Sequence, residues 1–502
     1  MTATVPLPLP TIEIDGSRLT VADIAQVATQ QASVRLSDFG FERARRSFEA
    51  ATTAAGDRPL YGRSTGVGAN RTVQVSGNGS AHALSLLRSH ATSAGDRRAA
   101  ERVRALLLVR LNQLAAGGSG VDPAVLSGLA RMISVDALPE VLELGSIGTG
   151  DLSALATTAL TLLGERAASR ELPGRIDFGP ADGLAFLSSN AAALADAALA
   201  VASLTETATA AIAVAALTFD AVEGNAEAYS IAALLATPFP GAAAVCADLR
   251  RLLSANEQGV RRNAAGAQRA AARIQDPFGL RALPQSFGPV LDALSAATAV
   301  IEASVNAPTE NPLVVPGPRD AAVAHHGGFH AAYLQLALDG LKLAVAQSGQ
   351  LVLGRLALLV EPSFTGLAPF LGDGTPGASG VMSCEYVAAS ALGAIRAAAY
   401  PAGLQTAVLS RGVEEDASFA SLAATQCLTV ARLWPHLLAC ELVAAVRAQR
   451  MLPGRPAVGR IAEIMTVGEV LSWELADRDL TDDLACAVGL LPALANVVRL
   501  SR

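Results

Sequence analysis

The sequence predicts an all-α protein: a long central helical bundle with an irregular, loop-rich N-terminal region. Three observations carry that expectation. Of 502 residues, 51% are hydrophobic but only 4% are aromatic, so Ala, Leu and Val must supply the core. Ala and Leu are strong helix formers, and Ala lets helices approach closely. Apolar residues recur at helical spacing along most of the chain, and the strand–helix alternation of a doubly wound sheet is absent. Finally, only 17% of residues are charged, and a chain this apolar commonly buries further surface between subunits, which predicts a helical homo-oligomer.

In chain order, residues 1–20, with three prolines between Pro6 and Pro10, read as an extended lead-in. Helical patterns follow at about 38–56, 81–116, 123–133, 152–170, 183–223, 228–236 and 242–272, then at about 287–306, 328–360, 378–399, 416–449 and 457–472. Gly and Pro clusters separate them, with no fixed-period repeat and no low-complexity linker. The divisions expected are a region over about 1–200 carrying the chemically interesting loops, a long-helix bundle over about 201–450 and a C-terminal helical segment over about 451–502.

The net charge of −7 disfavours a nucleic-acid or anionic-membrane partner. Arg250, Arg251, Arg261 and Arg262 stand at helical spacing beside acids, the pattern of a solvated face. Cys246, Cys384, Cys427, Cys440 and Cys486 are odd in number and widely spaced, so neither a disulfide framework nor a zinc site is indicated, and reduced thiols in a cytoplasmic protein are expected. The N-terminus has no basic and apolar regions of a secretory signal. The most apolar run, Ala191 to Val222, is interrupted by Asp196, Glu206 and Asp220, which fits a buried bundle helix better than a membrane span.

Several loops could carry chemistry. Tyr61-Gly62-Arg63-Ser64-Thr65-Gly66-Val67-Gly68 combines glycine turns with a phenol and two hydroxyls. A phenol can act as a general base where its environment stabilises the phenolate, but the same pattern fits a turn-rich surface loop. Gly145-Ser146-Ile147-Gly148-Thr149-Gly150-Asp151-Leu152 leads into an Ala/Leu helix that Asp151 is placed to cap. It lacks the strand context of a dinucleotide turn, and its small residues would permit backbone cyclisation. In Gln275-Asp276-Pro277-Phe278-Gly279-Leu280-Arg281 the arginine could clamp a carboxylate or lie on the surface. The glycines in His325-His326-Gly327-Gly328-Phe329-His330 make a helical metal pair improbable. Glu414-Glu415-Asp416 would cap a helix or supply a carboxyl of raised pKa, capping being the simpler reading.

In this order, these loops resemble the aromatic amino acid ammonia-lyase and aminomutase family over most of the chain, from about Leu60 to Asp477-Arg478-Asp479-Leu480. Tyr61-Gly-x-x-Thr65-Gly-x-Gly68 is similar to its tyrosine loop. Arg110-Leu-Asn112, Gly118-Ser-Gly-Val121, Gly183-Leu-Ala185, Gln275-Asp-Pro-x-x-x-Arg281-x-x-Pro-Gln285 and Asn306-x-x-x-x-Asn311-Pro-Leu313 match in order and spacing. The resemblance implies a tetramer of long helices with shared active sites. It also implies a self-made methylidene-imidazolone electrophile, formed from Ala-Ser-Gly, and no external cofactor or metal. Carried over, Tyr61 would be the base, Arg281 the carboxylate clamp and Gln275 a polar pocket residue, with Glu415 or Glu414 the acid beside the substrate amine. Ser89-His90 falls at the ring-selectivity position and looks like histidine ammonia-lyases, although His90 also fits a packed helix histidine.

The departures from the family gather at the same site. Gly148-Thr149-Gly150 stands for Ala-Ser-Gly in a loop one residue shorter, and a dehydrated threonine would give an ethylidene. Ser188 replaces an Asn, Phe278 a Tyr, Gly328 an Asn and Glu385 a Gln. Three functions follow as expectations. The first is elimination or amino shift on an aromatic or histidine-like amino acid with an altered prosthetic group. The second is a prosthetic-group-free cyclisation, addition or isomerisation, and the third a non-catalytic homologue.

Overall fold

The computed structural model describes residues 9–75, 79–262, 268–269, 272–317, 320–454, 457 and 459–502. Of the expected N-terminal lead-in, residues 1–8 fall outside these residues, as does the side chain of Arg262, and the described part holds the short strand Thr11–Ile14. The protein is all-helical, and among the described residues the strands form only short two-stranded pairings, such as Thr11–Ile14 with Ser33–Leu36 in parallel and Leu313–Val315 with Ala322–Ala324 antiparallel. Two compact units are formed. One comprises Met1–Ala202, Ala297–Asp339 and Pro401–Thr425, the other Ser203–Ala296, Gly340–Tyr400 and Gln426–Arg502.

In the first unit the helix Asp38–Asp57 starts where Ser37 accepts the Gly40 amide on its hydroxyl at 2.9 Å, an ordinary N-cap. It packs on Ala100–Ala115, in which Leu106, Leu107, Leu108 and Leu111 are wholly buried. Each such leucine contributes about 1.5–3 kcal/mol. The same helix buries Arg110, which donates to Glu310 at 2.7 Å and to the carbonyls of Phe186 and Ala185. That pairing fixes the 306–313 loop against the unit's core, because an unpaired buried charge would cost several kcal/mol. Asp196, on the helix Ala191–Ala221, is held by Arg98 and Arg102 at 2.8 Å.

The second unit packs Pro240–Leu252 against Arg460–Val467 and Thr481–Ser501. Its buried polar centre is Glu441, which accepts a two-pronged contact from Arg355 at 2.6 and 2.8 Å and the Thr218 hydroxyl at 2.8 Å. Arg261 is buried on Asp220 and the Phe219 ring, and Arg250 donates to the Tyr229 carbonyl. Of the expected solvated arginine face, Arg251 is exposed, Arg250 half-buried and Arg261 buried. Among the described residues, five helices are long and apolar enough to cross a membrane by length and composition, Ala332–Val360 and Ala420–Met451 among them. The acids within Ala191–Ala221 find arginine partners: Asp196 and Asp220 as described, Glu206 at Arg499.

Several expected helices are shorter than their patterns. The 81–116 run is two helices, Gly79–His90 and Ala100–Ala115, separated by a strand at Ala94–Arg97 where Gly95 has φ +86°. The 152–170 helix ends at Leu162, ahead of Gly164 at φ +79°, and the 242–272 helix ends at Leu252, ahead of Ser254 at φ +52°. All five cysteines are free, four of them buried.

Candidate active site

The tyrosine loop folds into a closed turn. Gly66 donates to the Val73 carbonyl, Val75 to that of Ser64, and the 3-10 turn Gly68–Asn70 lies between them. Gly62, at φ +70°, is pressed on Leu184, so a side chain there would collide. The turn brings the Gly68 amide to the Tyr61 oxygen at 2.7 Å. Burial pushes the Tyr61 phenol above its ordinary range. The Gly68 amide and the Arg71 charge oppose that shift, while the Glu414 carboxylate adds to it. Ser410 accepts the Ala69 amide at 2.9 Å and locks this turn to the 409–414 loop, where Ser410, Arg411 and Gly412 are all left-handed.

The Gly148-Thr149-Gly150 loop is held from three sides. The Gly148 carbonyl accepts the Ser418 hydroxyl at 2.7 Å and the Ala331 amide at 3.3 Å. The Gly150 amide donates to the Asn190 side-chain oxygen at 3.0 Å. Gly148 has φ +83°, and a β-carbon there would meet the Ser418 hydroxyl and lie 2.6 Å from the Ala420 backbone nitrogen. Asp151 occupies the N-cap position of Leu152–Leu162, but its carboxylate makes no capping bond there. It accepts instead from the Ser146 hydroxyl at 2.5 Å and from the Ala193 amide, in the first turn of Ala191–Ala221, at 2.8 Å. The capping expected of Asp151 thus serves a different helix. Its burial raises its pKa.

These loops line one cavity of about 1370 Å³ with Tyr61, Thr65, Arg71, His90, Thr149, Ser188, Asn311, His325, His326, His330, Ser410, Glu414, Glu415 and Asp416 on its walls. His90 donates Nδ1–H to the Leu86 carbonyl at 2.9 Å. Ser188 accepts the Asn311 amide at 3.1 Å, and Asn311 accepts that of His326 at 3.0 Å. His326 accepts the Gly328 amide on Nδ1 and donates Nε2–H to the Glu310 carbonyl, which sets its tautomer. His330 pairs with Asp416 at 3.2 Å. Glu414-Glu415-Asp416 cap no helix. The next helix begins only at Ala420, and the three carboxylates are exposed on the cavity wall.

Of the residues singled out from the sequence, Tyr61, His90, Thr149, Ser188, Glu414 and Glu415 line this cavity, with Gly148 and Gly150 flanking Thr149. Gln275, Phe278, Arg281 and Glu385 belong to the second unit. Gln275 and Phe278 are exposed there. Arg281 donates Nε–H to the Asp276 carbonyl at 2.8 Å and lies 4.5 Å from the Phe278 ring centre. Glu385, on Met382–Ala398, is half-buried, and burial raises its pKa. Arg71 and Ser410 escaped the sequence reading, since neither stands in a motif. His325 and His330 stood in a motif whose glycines drew attention to the absence of a helix rather than to the cavity.

The aromatic amino acid lyase family model matches residues 19–465. The histidine ammonia-lyase of Desulfotalea psychrophila is 30% identical, with 96% of each chain covered. That of Streptomyces coelicolor is 32% identical, covering 95% of this chain and 96% of the relative. Among solved structures, the tyrosine aminomutase from Streptomyces globisporus superposes with a TM-score of 0.87 at 26% identity over 98% of both chains.

Proposed function

This chain belongs to the aromatic amino acid lyase family and is a carbon–nitrogen lyase, and from that premise we propose that it eliminates or shifts the amine of an aromatic or histidine-like amino acid. The observation that carries the reading is the gathering of the Tyr61 phenol, the Thr149 loop, His90 and the Glu414 and Glu415 carboxylates on one cavity. Tyr61 takes the β-proton, with the Gly68 amide favouring the oxygen's negative charge. The carboxylates hold the ammonium of the substrate, and His90, its Nδ1–H given to the Leu86 carbonyl, faces the ring with Nε2 as an acceptor.

We further propose that Gly148-Thr149-Gly150 forms an ethylidene-imidazolone, with no external cofactor and no metal. The loop fits that group in its polar partners. Joining the Gly150 nitrogen to the Gly148 carbonyl carbon releases the carbonyl oxygen as water, and loss of the Thr149 hydroxyl with its α-hydrogen releases a second. Ser418 and Ala331 donate to that carbonyl, and Asn190 accepts from that amide. Such a group supplies an electron-poor carbon for the substrate's amine. The protein acts in the cytoplasm as a homotetramer in this reading, with Arg281, Gln275, Phe278 and Glu385 completing sites that subunits share.

The test combines mass and turnover. The tryptic peptide 132–166 should weigh two water masses less than its sequence. Ammonia and an acrylate, or the β-amino isomer, should appear from histidine, tyrosine or phenylalanine. Tyr61→Phe should lower the rate at least about 100-fold, and Thr149→Ala should abolish it together with the mass deficit. No product from any aromatic amino acid at high enzyme concentration would sink the reading. A second reading, chemistry without the prosthetic group, is favoured by Gly148, whose surroundings exclude the β-carbon of the family's alanine. It predicts an unmodified peptide and a Thr149→Ala variant that still turns over.

A further inference from the structure

The proposed ring closure joins the Gly150 nitrogen to the Gly148 carbonyl carbon, so the partners of those two groups decide how readily it starts. The segment 418–421 lies along this loop. Phe419 donates its amide to the Ile147 carbonyl at 2.8 Å, and the Ser421 hydroxyl donates to the Ser146 carbonyl at 2.9 Å. Beside them Ser418, which is buried, donates its hydroxyl to the Gly148 carbonyl at 2.7 Å. The direction of that hydroxyl is set. The Ala420 amide donates to its oxygen at 3.3 Å, which leaves the O–H proton for the carbonyl. The Ala331 amide is a second donor on the Gly148 oxygen, at 3.3 Å. At the other end of the loop the Gly150 N–H meets an acceptor instead, the Asn190 side-chain oxygen at 3.0 Å, and Asn190 is held in that orientation by giving its Nδ2–H to the Phe329 carbonyl.

Ser418 owes its place to an absent β-carbon. A β-carbon on Gly148 would collide with the Ser418 oxygen, so an alanine at this position, as in the family's motif, would displace the hydroxyl from the carbonyl. An amide carbonyl attacked by nitrogen gathers negative charge on its oxygen. Donors already aimed at that oxygen in a buried site stabilise the charge without having to reorganise. All of these groups, Gly148, Gly150, Asn190, Ala331 and Ser418, belong to the first unit of one chain.

We propose that the Ser418 hydroxyl, in the room that Gly148 leaves, is the side-chain donor that promotes ring closure in this chain; the inference rests on the imidazolone reading above. As the C–N bond forms, the C=O π pair moves onto the Gly148 oxygen beneath the Ser418 and Ala331 donors. That oxygen takes the Gly150 N–H proton and leaves as water with the Thr149 amide proton, as a double bond forms between the Gly148 carbon and the Thr149 nitrogen. Ser418 ends unchanged. The test follows the full-length protein after cell-free synthesis, reading over time the fraction of peptide 132–166 that has lost water. Ser418→Ala should slow that loss on the order of 100-fold while helicity by circular dichroism persists. Ser418→Thr and Ser418→Val share a shape and differ in the hydroxyl, so the threonine variant should mature and the valine variant should lag by a similar factor. Equal rates in those two, or an unslowed Ser418→Ala, would overturn the assignment and leave the imidazolone reading standing. A peptide of full mass from the unsubstituted protein would overturn both.

Discussion

At the scale of single residues, Tyr61 shows how far residue type falls short of function. The Tyr-Gly-x-x-Thr-Gly-x-Gly spacing located the phenol, but the balance of forces on it appears only in three dimensions. The phenol gains a backbone donor, Gly68, yet burial outweighs it and raises the pKa. A base must be deprotonated to act, so below its pKa the active fraction grows about tenfold per pH unit. With the phenol held above its ordinary value of about 10, kcat/KM should climb through pH 7 to 9. A flat profile over that range would remove Tyr61 as the titrating base. Arg71 illustrates the opposite limit of reading. Between Asn70 and Thr72 no motif marks it, and only the closure of the turn brings it to the cavity wall beside Tyr61.

Among the elements, long helices were legible and their interruptions were not. Ala332–Val360 and Ala420–Met451 emerge close to their sequence patterns because continuous apolar periodicity carries them. The 183–223 pattern hides a break at residues 188–190, where Ser188 and Asn190 leave the helix to bond the loops around the cavity. Those polar side chains fit a helical pattern on paper, and their partners lie far away in sequence. The short helix Asp182–Leu187 shows what such packing costs. Asp182 is buried and accepts the Asp122 and Gly179 amides at 2.8 and 2.6 Å, yet burial still lifts its pKa from 3.8 to about 6. The native state therefore binds a proton more tightly than the unfolded chain. Its contribution is fully present below the unfolded pKa and is lost as pH rises through the native one. The protein should lose up to about 3 kcal/mol from this group between pH 4 and 6, seen as a falling denaturation midpoint. Asp182→Asn should flatten that slope, and an unchanged slope would refute the assignment.

For the whole molecule, composition foretold the helical body and the low aromatic content foretold its Ala- and Leu-lined interior. What composition could not place is the surface left over. Tyr333 and Leu336, three residues apart on Ala332–Val360, are 83% and 68% exposed in the single chain. Large apolar side chains at helical spacing on an exposed face fit the homotetramer proposed above, in which they would lie between subunits. Light scattering should give the mass of a homotetramer, and Leu336→Glu should shift it toward smaller species while helicity by circular dichroism persists. A monomer at micromolar concentration would remove shared sites from the functional reading. The crowding at Gly148 has a consequence for what this loop can tolerate. An alanine there would meet not only the movable Ser418 hydroxyl but also the Ala420 backbone, which no side-chain replacement shifts. A single Gly148→Ala change therefore strains this loop unless the backbone at Phe419 and Ala420 moves with it, which ties any substitution at the glycine to the chain packed against it.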